Sequence, residues 1–240
     1  FQIENEGNSE FVWVRPGVAT INREAGMSFM NFAWPNDFAV DTRSGLEFCD
    51  GCRNFAQEYR LHDDFYASFE DTDTRTELML VEYVNTSGDT INILPPNDNV
   101  RPFKYWPGEG DPIGPGYGND IPVIRYADIL LSRAEALNEL NGPNQESIDL
   151  INLVRQRAGV SNINLADYGS TDALNDFILE ERGRELWWEG KRRADLIRHG
   201  VLVSRAQARG VQGAEPHEVR FPIPLVALDA NPSLEQNPGY

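Results

Sequence analysis

Hydrophobic positions change their period at Arg125. From there Tyr126, Ile129, Leu130, Ala134 and Leu137 fall at offsets of 0, 3, 4, 8 and 11, which is the recurrence of one helical face. Asn141-Gly142-Pro143 then supplies a left-handed cap residue followed by a breaker, and ends that helix. A second helix is predicted over Glu146 to Ala158, with Ile148, Ile151 and Val154 on its apolar side and Gly159 at its end. So short a connection makes the two helices antiparallel neighbours, a hairpin of the size of one tetratricopeptide unit. A third helix is predicted from Thr171, with Thr171 or Asp172 as its cap, to about His199 before Gly200; Leu174, Phe177 and Ile178 give its apolar side. Gly183 and Gly190 each cost about 1 kcal/mol against Ala inside a helix, so a break or close packing is expected near them.

Upstream the pattern is shorter in wavelength. Phe11 to Val14 and Leu78 to Val84 read as strands, and Asn85, Ser87 and Gly88 turn the second into a further strand at Thr90 to Leu94, forming a hairpin. Between Pro95 and Pro122 the density of Pro and Gly forbids helix and central strand alike, while Phe103, Tyr105, Trp106 and Tyr117 pin the loop to the body. After His199 the chain has a strand-like Val219 to Phe221 and then Pro222, Pro224, Pro232 and Pro238, and reads as an extended tail laid over the body. The prediction is a mainly α protein with irregular loops and short strands. It has a loop-rich region over 1–124, a helical scaffold over 125–200 and the tail over 201–240, in one compact body.

Composition narrows the partners. The 240 residues are 40% hydrophobic and 10% aromatic, as in a folded globular chain. Lys plus Arg number 21 against 38 Asp plus Glu, a formal net charge of -17 that repels phosphate backbones and anionic lipid, so nucleic acid is discounted as a partner. The plain alternative is that the acidity serves solubility alone. No apolar run approaches the roughly 20 residues of a membrane-spanning helix. The sequence starts at Phe1 without initiator Met, basic n-region or cleavage site, and so reads as part of a longer chain. Cys49 and Cys52 form CDGC; neither a redox context nor two more zinc ligands is evident, which leaves a local disulfide, the preferred reading, or two free thiols.

Four blocks carry a family resemblance: RYADILLSRAEALNE (Arg125 to Glu139), INLVRQRAG (Ile151 to Gly159), LEERGRELWWEGKRRADLIRHG (Leu179 to Gly200) and FPIPLVALDANPSLEQNPGY (Phe221 to Tyr240). In content, order and spacing they resemble the SusD/RagB family, and KYW (Lys104 to Trp106) with the stretch after Asp73-Thr74-Arg75 resembles its lead-in more loosely. The resemblance implies a SusD-like fold and a non-catalytic lipoprotein on the outer face of the outer membrane, which binds glycan or peptide nutrient and lids a SusC-like TonB-dependent transporter. Family members are much longer, with a lipid-bearing N-terminal Cys and most of their helical repeats earlier, so this sequence corresponds to a C-terminal portion; the anchor is implied only for the parent chain.

Glu181, Arg182, Glu185, Glu189, Arg192 and Asp195 are the densest charged group, and paired carboxylates could act as general acid and base in glycoside hydrolysis. Helical spacing explains them better as ion pairs, such as Glu180 with Arg184, Glu189 with Arg193 and Arg192 with Asp195. His62, His199 and His217 are too scattered for a transition-metal site, and Arg75 stands where a calcium loop that begins at Asp71 and Asp73 would want Asp or Asn; no cofactor or metal is predicted. Sugar binding needs flat apolar faces with planar polar groups beside them. Trp34, Phe32 and Phe38 with Asn36, Asp37 and Arg43 offer that set, and Trp34-Pro35-Asn36-Asp37 is turn-like and expected at the surface. The competing reading places these aromatics in the core. Trp13 and Trp106 are secondary candidates, and Trp187 and Trp188 are assigned to helix packing. The leading function is capture of an oligosaccharide or other nutrient. Against it stand a glycoside hydrolase and a transporter-associated scaffold or peptide binder.

Overall fold

Alternation and turn chemistry build the first elements. A computed structural model describes residues 7–19, 28–48, 58–106 and 116–240, so Cys49 and Cys52 lie outside the described residues. Its strands are β1 (Phe11–Arg15), β2 (Phe38–Asp41), β3 (Met79–Leu80), β4 (Glu82–Asn85), β5 (Thr90–Asn92), β6 (Arg101–Pro102) and β7 (Ile121–Arg125). Its α-helices are α1 (Asp63–Tyr66), α2 (Tyr126–Asn141), α3 (Gln145–Arg157), α4 (Thr171–Glu185), α5 (Arg192–Arg198), α6 (Leu202–Ala208) and α7 (Leu225–Ala230). Phe1–Glu189 form one compact unit and Gly190–Tyr240 another. No described helix is long and apolar enough to cross a membrane.

The expected hairpin is β4 and β5, antiparallel with Tyr83 opposite Ile91, and β2 adds to its other edge. The single strand predicted over Leu78 to Val84 is divided: a 3-10 turn ends at Leu78, β3 pairs with β6, and β4 turns to β2. Arg75 causes the turn, because Asp73 caps the Arg75 N–H at 3.0 Å and grips its guanidinium at 2.7 Å. Asp73 is thereby engaged by an arginine. β1 lies antiparallel to β7, as a two-stranded sheet that leads into α2.

The helices stand close to their predicted bounds. Gly142 caps α2 at φ 73°, Asn144 caps α3 by accepting from the Ser147 N–H at 3.0 Å, and Ser170, one residue ahead of the predicted cap, caps α4. Leu130, Leu131, Ala134, Ile148, Ile151, Val154, Leu174 and Ile178 form the core between α2, α3 and α4. The buried face of α2 is turned from the predicted one: Ala127, Asp128, Asn138 and Leu131 point inward, while Tyr126 and Ile129 are about half exposed. Polar partners set this phase. Arg182 meets Asp128 at 2.9 Å, and the Asn138 side chain donates to the Thr171 carbonyl at 2.8 Å and to Asn175 at 2.7 Å. A hydrophobicity pattern does not see such contacts.

The third predicted helix breaks where Gly190 suggested: α4 stops at Glu185, and Gly190 takes φ 77° before α5. Gly183 stays inside α4, buried, and so belongs to close packing. In the second unit the expected strand at Val219 to Phe221 and the extended tail are replaced by α6, a 3-10 turn at Pro216–Val219 and α7. Side chains close this unit on itself. Gln236 clasps Ile223 N–H and carbonyl at 2.8 and 2.9 Å, the Tyr240 hydroxyl donates to the Arg220 carbonyl at 2.7 Å, and the Arg193 guanidinium lies 4.3 Å over the Phe221 ring.

Candidate functional site

The six residues predicted to bind ligand divide between interior and surface. Trp34 is 0% exposed. Its indole N–H donates to the Tyr117 hydroxyl at 3.1 Å, which donates on to Asn31 at 3.2 Å, and its ring packs on Phe38 and Phe103, both at 4.9 Å. Phe38 is 3% exposed in the same cluster. The expectation of a surface turn therefore fails for Trp34, because the 3-10 turn Phe29–Phe32 directs the indole into a core that Phe103, Tyr105 and Tyr117 complete from the Pro-rich stretch. Only a burial partner far along the chain could have revealed this.

The others remain at the surface. Asn36 is exposed and Asp37 half-buried. One Asp37 oxygen accepts from the Tyr83 hydroxyl at 2.7 Å; burial, with this bond added, pushes the phenol up to about 12. Arg43 is exposed, with its guanidinium donating to the Met79 carbonyl and lying 3.9 Å from Asp41. Phe32 is half-buried and pairs with Tyr59, ring centroids 5.3 Å apart, while the Tyr59 N–H donates to the Phe32 carbonyl at 2.9 Å. Tyr59 is 39% exposed and Phe48, edge-on to Trp34 at 5.3 Å, is 36% exposed. Sequence reasoning missed Tyr59 and Phe48 as exposed aromatics; each is a lone ring with no local periodicity to mark it.

Behind Tyr59 stands Trp188, centroids 6.1 Å apart at 81°. The Trp187 and Trp188 rings stack at 5° and 6.5 Å rather than diverging as on a helix, since α4 has already ended and Trp188 has φ 61°.

The charged group expected to pair along a helix does so in part, as Asp195 with Arg198 at 3.1 Å, and it also pairs across the fold. Glu181 accepts from Arg184 one turn on at 2.9 Å, but also from Arg75 at 2.7 Å and Arg155 at 2.9 Å. Glu185 meets Arg75 at 3.2 Å, Arg125 at 2.5 Å and Arg157 at 2.5 Å, and Glu189 meets Arg125 and Lys104. Burial by itself would raise the Glu185 carboxyl, yet Arg125, Arg157, Lys104 and Arg75 outweigh it and hold the group at about 2. Glu181 is lowered against its own burial by Arg75 and Arg184. A general acid needs the opposite shift. These carboxylates lock α4 to the 3-10 turn, β7 and α3, so their chemistry is structural.

A sequence model of the SusD family matches residues 53–240. SusD-like protein P38 of Formosa agariphila is 38% identical over 128 residues, covering 50% of this chain and 25% of that protein. The starch-binding protein SusD of Bacteroides thetaiotaomicron is 28% identical over 161 residues, covering 63% of this chain and 28% of its own. Among solved structures, a laminarin-binding SusD-like protein superposes with a TM-score of 0.73 at 24% identity, over 99% of this chain and 51% of that one. Surface glycan-binding protein A from Bacteroides thetaiotaomicron, in complex with laminarihexaose, gives 0.66 at 20% identity, over 95% of this chain and 52% of that one. The chain thus spans about a quarter of these curated relatives and about half of these structures.

Proposed function

The chain belongs to the SusD family, and from that membership we propose that it is part of a non-catalytic cell-surface protein that binds oligosaccharide and delivers it to a SusC-like TonB-dependent transporter. On this reading the whole protein sits on the outer face of the outer membrane. The observation that carries it is the pair of exposed rings Tyr59, packed on half-buried Phe32, and Phe48, in the same unit as the exposed amide of Asn36 and the guanidinium of Arg43. Aromatic faces take the C–H side of a pyranose, and planar polar groups take its hydroxyls. Trp34 supports Phe48 edge-on, and Phe38 packs on Trp34.

Relatives named for starch and laminarin suggest the probes. Laminarihexaose by calorimetry and soluble starch by affinity electrophoresis should reveal binding, with no new reducing ends after prolonged incubation. Release of reducing ends would favour a hydrolase, and failure to bind either probe would remove the glucan reading.

A further inference from the structure

Lys104 follows β6 and is 2% exposed. Its ammonium donates to the carbonyls of Glu185 and Trp187, both at 3.0 Å, and to Glu189 Oε1 at 2.5 Å, and it lies 5.1 Å from the centre of the Trp187 ring. An ammonium has three donors, and here three acceptors converge on it. The two carbonyls bracket the end of α4. Just beyond them Trp188 takes φ 61°, a left-handed backbone that bulky residues avoid and that persists only where surrounding contacts over-determine it. The indole so placed packs on Tyr105 at 5.6 Å, Tyr59 at 6.1 Å and Phe29 at 6.2 Å. Tyr59 is in turn the most exposed ring of the candidate surface.

We infer that Lys104 is a positioning residue for ligand binding: it holds the turn that sets Trp188 behind Tyr59, and so fixes the attitude of the exposed ring. This rests on the glycan-binding reading. The residue type is specific. A methionine has no donors for the two carbonyls, and the planar fork of an arginine does not bring three bonds to one point.

Lys104→Met is compared with wild type for binding of laminarihexaose and soluble starch, together with the near-ultraviolet circular dichroism of the stacked Trp187 and Trp188. The expected result is affinity about tenfold weaker, equivalent to ~1.4 kcal/mol, with a collapsed tryptophan signal. Should that variant fail to fold, Lys104→Arg keeps the positive charge beside Glu189 but cannot bring three bonds to one point; it should shift affinity and spectrum the same way, by less. Wild-type affinity and spectrum in whichever variant folds would overturn the role of Lys104 while leaving glycan binding intact. Wild-type protein that binds neither probe would overturn the glucan reading, and the role of Lys104 in that binding with it.

Discussion

Arg125 and Glu189 meet through two parallel hydrogen bonds, Nε to Oε2 at 2.7 Å and Nη2 to Oε1 at 2.8 Å. The fork joins the end of β7 to the turn after α4, and the same guanidinium reaches Glu185. Arg125→Ala leaves two buried carboxylates short of their partner, and breaking a buried pair from one side costs ~3–5 kcal/mol. Urea denaturation should show that loss in the midpoint. A change below about 1 kcal/mol, the worth of an exposed pair, would contradict the account.

Acid should unfold the first unit through the same cluster. Glu185 is held at about 2 against an ordinary 4.5, so the unfolded chain binds the proton first as pH falls. Stability from this group is complete above 4.5 and lost as pH drops toward 2, and Glu181, also lowered, adds in the same direction. Urea midpoints measured across that window should fall steeply in wild type and less steeply in Glu185→Gln, which starts from a lower plateau. Equal slopes in the two proteins would show that Glu185 is not the titrating group.

Tyr59→Ala and Trp34→Ala should part binding from stability. Tyr59 is 39% exposed and Trp34 0%. The first should weaken laminarihexaose or starch binding with the urea midpoint almost unchanged. The second should cost ~3–5 kcal/mol, the range for emptying an aromatic core site. If Tyr59→Ala bound both probes as wild type does, the ligand surface would have to lie elsewhere.

That contrast marks what a linear sequence can and cannot tell. Helices α2 and α3 were legible because caps and breakers act within four residues, and the end of α4 was announced by Gly190. The inward phase of α2 was not, since Asp128 and Asn138 point inward only by virtue of Arg182, Thr171 and Asn175 from another helix. Likewise the place of Trp34 in the core depends on Phe103 and Tyr117, about 70 to 80 residues away in the chain, and Tyr59 packs on Trp188, more than 100 residues away. The charged residues of the family blocks pair along their helices, as Glu181 does with Arg184 and Asp195 with Arg198, and in addition cross-link elements, which spacing alone does not show.

The terminal NPGY block offers a last test, because its glycine has a steric reason to be there. Gly239 has φ 101°, and a β-carbon added to it would stand 2.5 Å from the His217 ring. His217 cannot simply swing away, since its ring packs edge-on to Tyr240 at 4.8 Å, and Tyr240 is tied to the Arg220 carbonyl. Gly239→Ala therefore meets both a disfavoured backbone and a clash, and should cost about 1–3 kcal/mol, the scale of a strained conformation. The damage should stay in the second unit: hydrogen exchange should quicken in peptides over residues 216–240 and stay unchanged in α2 and α3. Uniform quickening throughout would mean that the closing block governs the whole fold, and none at all would mean that the His217 contact carries no weight.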